Sequence, residues 1–175
     1  MDIRVRRFTT DDTPAFYEAI KESVDHLAPW LMWCTSDYTI DDASEFVGDA
    51  EEMWQNGSDY RSLIEDTQTG RVLGCVGINQ IVDLYKTGNL GYWVRKSAIN
   101  SGACSQAARA FSELALTDLG LQRIEITIHP DNHASSVVAE KIGAVYEGTF
   151  RNKIVLNGQP APAKCYSIIP SDYDL

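Results

Sequence analysis

A chain of 175 residues is long enough for one sheet-and-helix core and too short for two full domains with linkers, so it reads as a single domain spanning 1–175. Its 25 Asp and Glu against 15 Lys and Arg give a formal net charge of −10, which argues against a nucleic-acid binder and suits either a basic partner or simple solubility. No apolar run approaches the ~20 residues of a membrane span, the opening Met1-Asp2-Ile3-Arg4-Val5 lacks a signal peptide's apolar core, and the scattered Cys34, Cys75, Cys104 and Cys165 form no zinc or disulfide pattern, so the expected compartment is the cytoplasm.

In chain order, Ile3 to Phe8 alternates as a strand, and Thr10-Asp11-Asp12 opens a helix with Phe16, Ala19, Ile20 and Val24 on one stripe. His26 to Trp33 is an aromatic loop. Ile40-Asp41-Asp42 starts a second helix that ends near Asn56-Gly57. Strands at Tyr60 to Glu65 and Val72 to Ile81 flank a Thr67 to Gly70 turn, and a third runs from Leu90 to Val94. A long helix follows from about Gly102 to Leu119, with Gly120 as its stop. Ile124, Ile126 and Ile128 then alternate with Glu125, Thr127 and His129 in a strand that must run parallel to the one before the helix. Pro130-Asp131-Asn132 breaks that run with helix-start chemistry. Asn132 is the expected N-cap, Ser135 lies in the first turn near the positive end of the helix dipole, and Gly143 suits a left-handed stop. Strands at Val145 to Phe150 and Ala163 to Ile169 close the chain through Asn157-Gly158, a hairpin signal. The expected fold is α/β (α+β), a mixed twisted sheet of about seven strands with helices on both faces, in the order β-α-α-β-β-β-α-β-α-β-β.

That order, with Gly91-Tyr92-Trp93-Val94, the loop from Ile99 to Ser105, and Asp131-Asn132-His133-Ala134-Ser135 before Glu147-Gly148, resembles the GNAT superfamily of acyl-CoA-dependent N-acyltransferases. Leu27-Ala28-Pro29-Trp30-Leu31, Leu156-Asn157-Gly158 and Tyr166-Ser167 resemble its RimJ/RimL type, which acetylates N-terminal amines of ribosomal proteins and has relatives with other amine substrates. The resemblance implies the GNAT fold, acetyl-CoA as co-substrate and, as acceptor, a protein N-terminus or a small amine. It places the pyrophosphate on the amides of Gly102, Ala103, Cys104 and Ser105, where a helix N-terminus offers unpaired N–H groups. It also implies that the strand carrying Tyr92, Trp93 and Val94 splays from the Ile124 strand to pair with the pantetheine arm. An N–H at Trp93 or Val94 would then stabilise the oxyanion. Asn132 would hold the pantetheine arm, and Ser135 would be the acid for the departing thiolate. The alternative for Ser135 is a first-turn serine that satisfies local backbone groups.

Two positions depart from the family pattern. Ile99 stands where Gln or Arg would donate to the phosphates, and Cys104 adds bulk where the helix should approach them; one lost charged hydrogen bond is worth about 1.5 to 3 kcal/mol. Ile154 stands where RimL-like enzymes carry a Glu base, so no catalytic carboxylate can be carried over. Glu125 and His129 are alternative bases if they reach the splay, although burial or solvent exposure would account for either. Trp30, Trp33 and Trp54 could line an acceptor site or fill the core. His129 and His133 have a metal-binding spacing only on a continuous helix, which Pro130 precludes, so no metal is expected. The competing function is a GNAT-like module that binds an acyl-CoA or a protein with little catalysis. Edge strands at the C-terminal hairpin suit a homodimer.

Overall fold

The computed structural model describes residues 1–175. Seven strands form one mixed sheet in the order β1-β2-β3-β4-β5-β7-β6. They are β1 (Ile3–Arg6), β2 (Tyr60–Asp66), β3 (Val72–Val82), β4 (Thr87–Val94), β5 (Arg123–Ile128), β6 (Val145–Leu156) and β7 (Gln159–Ile168). The helices are α1 (Thr13–Lys21), the one-turn α2 (Val24–Leu27), α3 (Ile40–Asn56), α4 (Ala103–Thr117) and α5 (His133–Lys141). The one-turn α2 is additional to the order expected from sequence. It takes Val24, expected on the stripe of the first helix, together with the start of the expected aromatic loop, and its Leu27 is buried.

The alternation along each strand divides the core into two layers. Ile64, Val76, Ile78 and Leu90 face α4 together with Ile124, Ile126 and Ile128, whereas Leu63, Cys75 and Trp93 face α1 and α3 with Phe16, Ile20 and Val47. No helix is long and apolar enough to cross a membrane.

Two expectations about element length are corrected. Helix α4 ends at Thr117 rather than Leu119, three residues short of the left-handed Gly120. Strands β6 and β7 run much further than Phe150 and back from Ala163, because Ile154, Val155 and Leu156 pair with Ala161, Pro160 and Gln159 across the Asn157-Gly158 turn. Pro160 and Pro162 fit in β7 because β5 pairs only with Lys164 to Ile168, which leaves the proline side of that strand without a ladder to supply.

The pairing of β4 with β5 is short. Only Thr87, Gly88 and Asn89 find partners, in Arg123, Ile124 and Glu125; beyond them the two strands diverge. The far end of β4 is held from behind instead. Arg95, 1 % exposed, donates to the Val72 carbonyl at 3.1 Å and to Glu18 at 2.8 Å, and it also pairs with Glu22. Glu22 in turn accepts the Ser97 amide at 2.7 Å, and Ser23 Oγ accepts the Lys96 amide at 3.0 Å. The guanidinium of Arg95 holds the Glu22 carboxyl down to about 2. This clamp fixes the segment that leads from β4 into α4.

Candidate active site

The diverging half of β4 exposes main-chain groups that a normal sheet would consume. Alternate residues of an antiparallel strand point their N–H and C=O to opposite neighbours. The Arg95 amide bonds to the Leu73 carbonyl in β3 at 2.6 Å, which puts Trp93, two residues back, on that same ladder with Cys75. Tyr92 and Val94 therefore direct their main-chain groups towards β5. Of the two amides considered from sequence, that of Val94 faces the splay and that of Trp93 does not. The Val94 carbonyl accepts from Nε2 of His26 at 3.1 Å, which fixes the tautomer, since a carbonyl can only accept.

Helix α5 begins on the far side of the gap. Asn132 is its N-cap, with Oδ1 accepting the Ser135 amide at 3.2 Å. Ser135 is half-buried, and its Oγ donates to the Tyr92 hydroxyl at 3.2 Å instead of returning to its own helix. The Tyr92 hydroxyl donates to the Ser135 carbonyl at 2.8 Å. Burial raises the Tyr92 phenol well above its ordinary value, and the bond from Ser135 offsets only part of that.

At the start of α4, Gly102 takes φ +85°, a left-handed N-cap that only a residue without a Cβ adopts freely. No side chain caps this helix. The Ala103 amide bonds to Ser101 Oγ at 3.2 Å, while the amides of Gly102, Cys104 and Ser105 point outward without partners. A Cβ at Gly102 would meet only the flexible end of Gln106, at 3.4 Å, so the approach to these amides is open. They suit a pyrophosphate, and the splay suits an extended arm, so these residues fit coenzyme A. The Cys104 thiol does not add bulk there, contrary to the sequence expectation. It is turned inward, where burial pushes it up to about 12. Ile99 is 44 % exposed on the same loop and brings no donor.

A cavity of about 640 Å³ opens on the opposite face of the sheet from α4. Its floor is β3 and β4, including Gly77 and Gly91, and its roof is α3 with the Leu31 to Tyr38 loop. Gly77 is required by close packing, since a Cβ there would lie 2.6 Å from the Tyr60 carbonyl oxygen, whereas one at Gly91 would meet only Asn79, at 3.7 Å. Trp33, Tyr38, Phe46 and Trp93 supply aromatic walls. Asp37, Asp42, Glu45, Asp49 and Asp59 line it against one cation, Arg61. That cation is already committed, bonded to Asp59 at 3.0 Å and lying 4.2 Å over the Phe46 ring. Asp42 is committed too, accepting the Thr39 amide at 2.7 Å in a capping box. Burial raises the Asp59 carboxyl, opposed by Arg61.

The acidic wall was missed in the sequence, although Asp42, Glu45 and Asp49 recur at i, i+3 and i+7, the spacing of one helix face. The other sequence candidates lie elsewhere. Glu125 is tied to Arg123 at 3.1 Å and Lys153 at 3.5 Å, and Ile154 pairs with Ala161 in the C-terminal hairpin. His129 packs against Trp30 with ring centres 5.7 Å apart, while Trp54 sits in the core against Tyr60 and Phe111. Of the tryptophans weighed from sequence, Trp33 lines the cavity. The loop after α2 is tied at Trp30 to His129, just past the end of β5, and at Met32 to the C-terminal hairpin, where the Asn157 amide reaches Sδ at 3.3 Å. No three His, Cys, Asp or Glu side chains gather where they could hold a metal ion.

Known proteins share the sequence pattern and the fold of this chain. The family described as the acetyltransferase (GNAT) domain matches residues 2–145. The ribosomal-protein-serine acetyltransferase of Escherichia coli K12 is 27% identical over 141 residues, covering 81% of this chain and 78% of the relative. Among solved structures, RimL, a ribosomal L7/L12 α-N-protein acetyltransferase in complex with coenzyme A, shares the fold with a TM-score of 0.86 at 23% identity, covering 95% of this chain and 93% of that one. The microcin C7 self-immunity acetyltransferase MccE, in complex with acetyl-CoA and AMP, shares it with a TM-score of 0.84 at 22% identity, covering 96% and 92%. The chain therefore belongs to the GNAT acetyltransferase family, as an N-acetyltransferase whose relatives and structural neighbours are of the RimJ/RimL type.

Proposed function

We propose that this enzyme moves an acetyl group from acetyl-CoA to a cationic primary amine, a small molecule or a protein N-terminus, by direct attack across the β4–β5 splay. The observation that carries this reading is the meeting of two features at β4. Its unpaired half faces the Asn132 to Ser135 helix start, and the acid-walled cavity opens onto the same strand from the other face.

The residues divide the work as follows. Amides of Gly102, Cys104 and Ser105 hold the pyrophosphate, with the Ala103 turn supporting them, and the edges of Tyr92 and Val94 together with Asn132 hold the pantetheine arm. The Val94 amide donates to the carbonyl oxygen where negative charge develops. As the amine nitrogen bonds to the carbonyl carbon and the carbon–sulfur bond breaks, Ser135 gives its proton to the sulfur. An acceptor that arrives as an ammonium first gives one proton to water, which frees the nitrogen lone pair for attack; the second proton, lost once nitrogen has bonded to carbon, passes to water or to a wall carboxylate, Asp59 being the one whose burial raises its proton affinity, and solvent returns a proton to Ser135. Glu45 and Asp49 favour an acceptor that arrives protonated. In a cavity lined by carboxylates and aromatic rings, a second positive charge on the acceptor is stabilised as well.

Free-thiol release from acetyl-CoA, measured with a panel of amines and peptides, tests the reading. Release that depends on amine and falls about a hundredfold in Ser135→Ala supports it. Coenzyme A binding with no amine-dependent release would instead establish the binding module.

We also propose that the β6 edge pairs with a second copy of the chain. Val145, Tyr146, Phe150 and Val155 are exposed along it, an apolar edge that a monomer would leave uncovered. Sedimentation at twice the chain mass is the expected result, and a monomer at micromolar concentration contradicts it.

A further inference from the structure

A serine can protonate a thiolate only if its oxygen is held within reach of the sulfur, yet the first turn of a helix gives it easier options. Three staggered χ1 wells are open, and the usual one bonds the hydroxyl back to its own backbone. Ser135 does neither. Its Oγ donates to the phenolic oxygen of Tyr92 at 3.2 Å, and that phenol donates to the Ser135 carbonyl at 2.8 Å. The two bonds close a ring between residues 43 apart in the chain, joining β4 to the start of α5 across the mouth of the splay.

We propose that the Tyr92 hydroxyl is a positioning residue for Ser135: it fixes the serine oxygen at the mouth of the splay and, once that hydroxyl swings its proton from the phenol to the thioester sulfur, supplies the hydrogen bond that the serine oxygen then needs. The inference rests on the role proposed for Ser135. A phenol has one proton to give and lone pairs to receive. In the resting arrangement Tyr92 accepts from Ser135 and donates to the carbonyl. When the serine O–H bond breaks and the S–H bond forms, the phenolic O–H turns from the carbonyl to the serine oxygen and stabilises its charge without transferring its own proton. Solvent then returns a proton to Ser135. Burial favours the protonated phenol, which keeps it a donor. The place of Tyr92 in β4 serves this arrangement. Its main-chain groups face the splay while its ring lies against α4 and α5, so one residue links the strand proposed to hold the substrate to the helix proposed to hold the acid.

The test is a double-mutant cycle on Tyr92→Phe, Ser135→Ala and the double variant, with kcat, KM for acetyl-CoA and the thermal upshift on adding coenzyme A read for each. Phenylalanine keeps the ring, and a retained upshift shows that the fold and the cofactor site persist. Tyr92→Phe is expected to lower kcat about tenfold with KM changed less than about twofold, as for the loss of one hydrogen bond used during reaction. In the Ser135→Ala background it is expected to have no further effect. A silent Ser135→Ala would remove the proposed acid and this inference with it. A damaging Ser135→Ala beside a silent Tyr92→Phe, or two effects that simply multiply, would overturn the inference and leave the acid in place.

Discussion

Ile99 shows how much one side chain decides at this site. It stands 44 % exposed on the loop that leads to the open amides of Gly102, Cys104 and Ser105, and it contributes nothing to an anion. Ile99→Gln restores a donor without touching the helix start, and is expected to tighten coenzyme A about tenfold, read as a dissociation constant by calorimetry. An unchanged constant would mean that the loop does not border the phosphates. That position was legible in the sequence because the family pattern names a residue type there. The direction of Cys104 was not: in the first turn of α4 a side chain faces either the ligand or the core, and which one depends on where the Ala107 and Phe111 stripe meets the sheet. The choice between Trp93 and Val94 was hidden for a related reason. Both amides belong to one strand, and only the register against β3 sorts them.

Among the elements, β4 carries the proposed site, and its position depends on packing at some remove from the splay. The Arg95 clamp ties its end to α1, with Glu22 accepting from both Arg95 and the Ser97 amide. Glu22→Gln weakens the pairing of a buried guanidinium and is expected to cost about 2 kcal/mol of unfolding free energy at neutral pH. The pH dependence follows from the shift. The Glu22 carboxyl falls from its usual 4.5 to about 2 in the fold, so its contribution is complete above about 4.5 and is lost as pH drops towards 2. Denaturant titrations across that interval should show a shallower acid loss in the variant than in the native chain, and parallel curves would refute the assignment. Periodicity gave the existence of β4, α4, β5 and α5, together with the Asn132 cap. It could not give the length of the β4–β5 pairing, which ends at Asn89 and Glu125 because the strands diverge in three dimensions. Prolines at 160 and 162 hid the long C-terminal hairpin, since a strand tolerates them only where one of its sides has no partner.

At the scale of the whole molecule, the formal charge of −10 becomes meaningful only once it is placed. Part of it is bound in ion pairs such as Arg6 with Asp12 and Glu65, which stitch β1 to its neighbours. Another part gathers on the cavity roof at Glu45 and Asp49, and at Asp37 on its loop, over a floor that β4 completes. Composition alone left open whether the excess served solubility or a basic partner. The fold gathers these acids in one cavity over β3 and β4, the proposed acceptor side, where they favour a cation. The superfamily and its co-substrate were therefore readable from motif order, while the proposed acceptor cavity depended on three distant segments meeting over one pair of strands. The most direct measurement is the initial rate of free-thiol release from saturating acetyl-CoA with a diamine as acceptor, at low and at high salt. Amine-dependent release is expected, with a KM for the diamine that rises with salt. Binding of acetyl-CoA with no release above the amine-free rate, for the diamine and for every other amine, would contradict it.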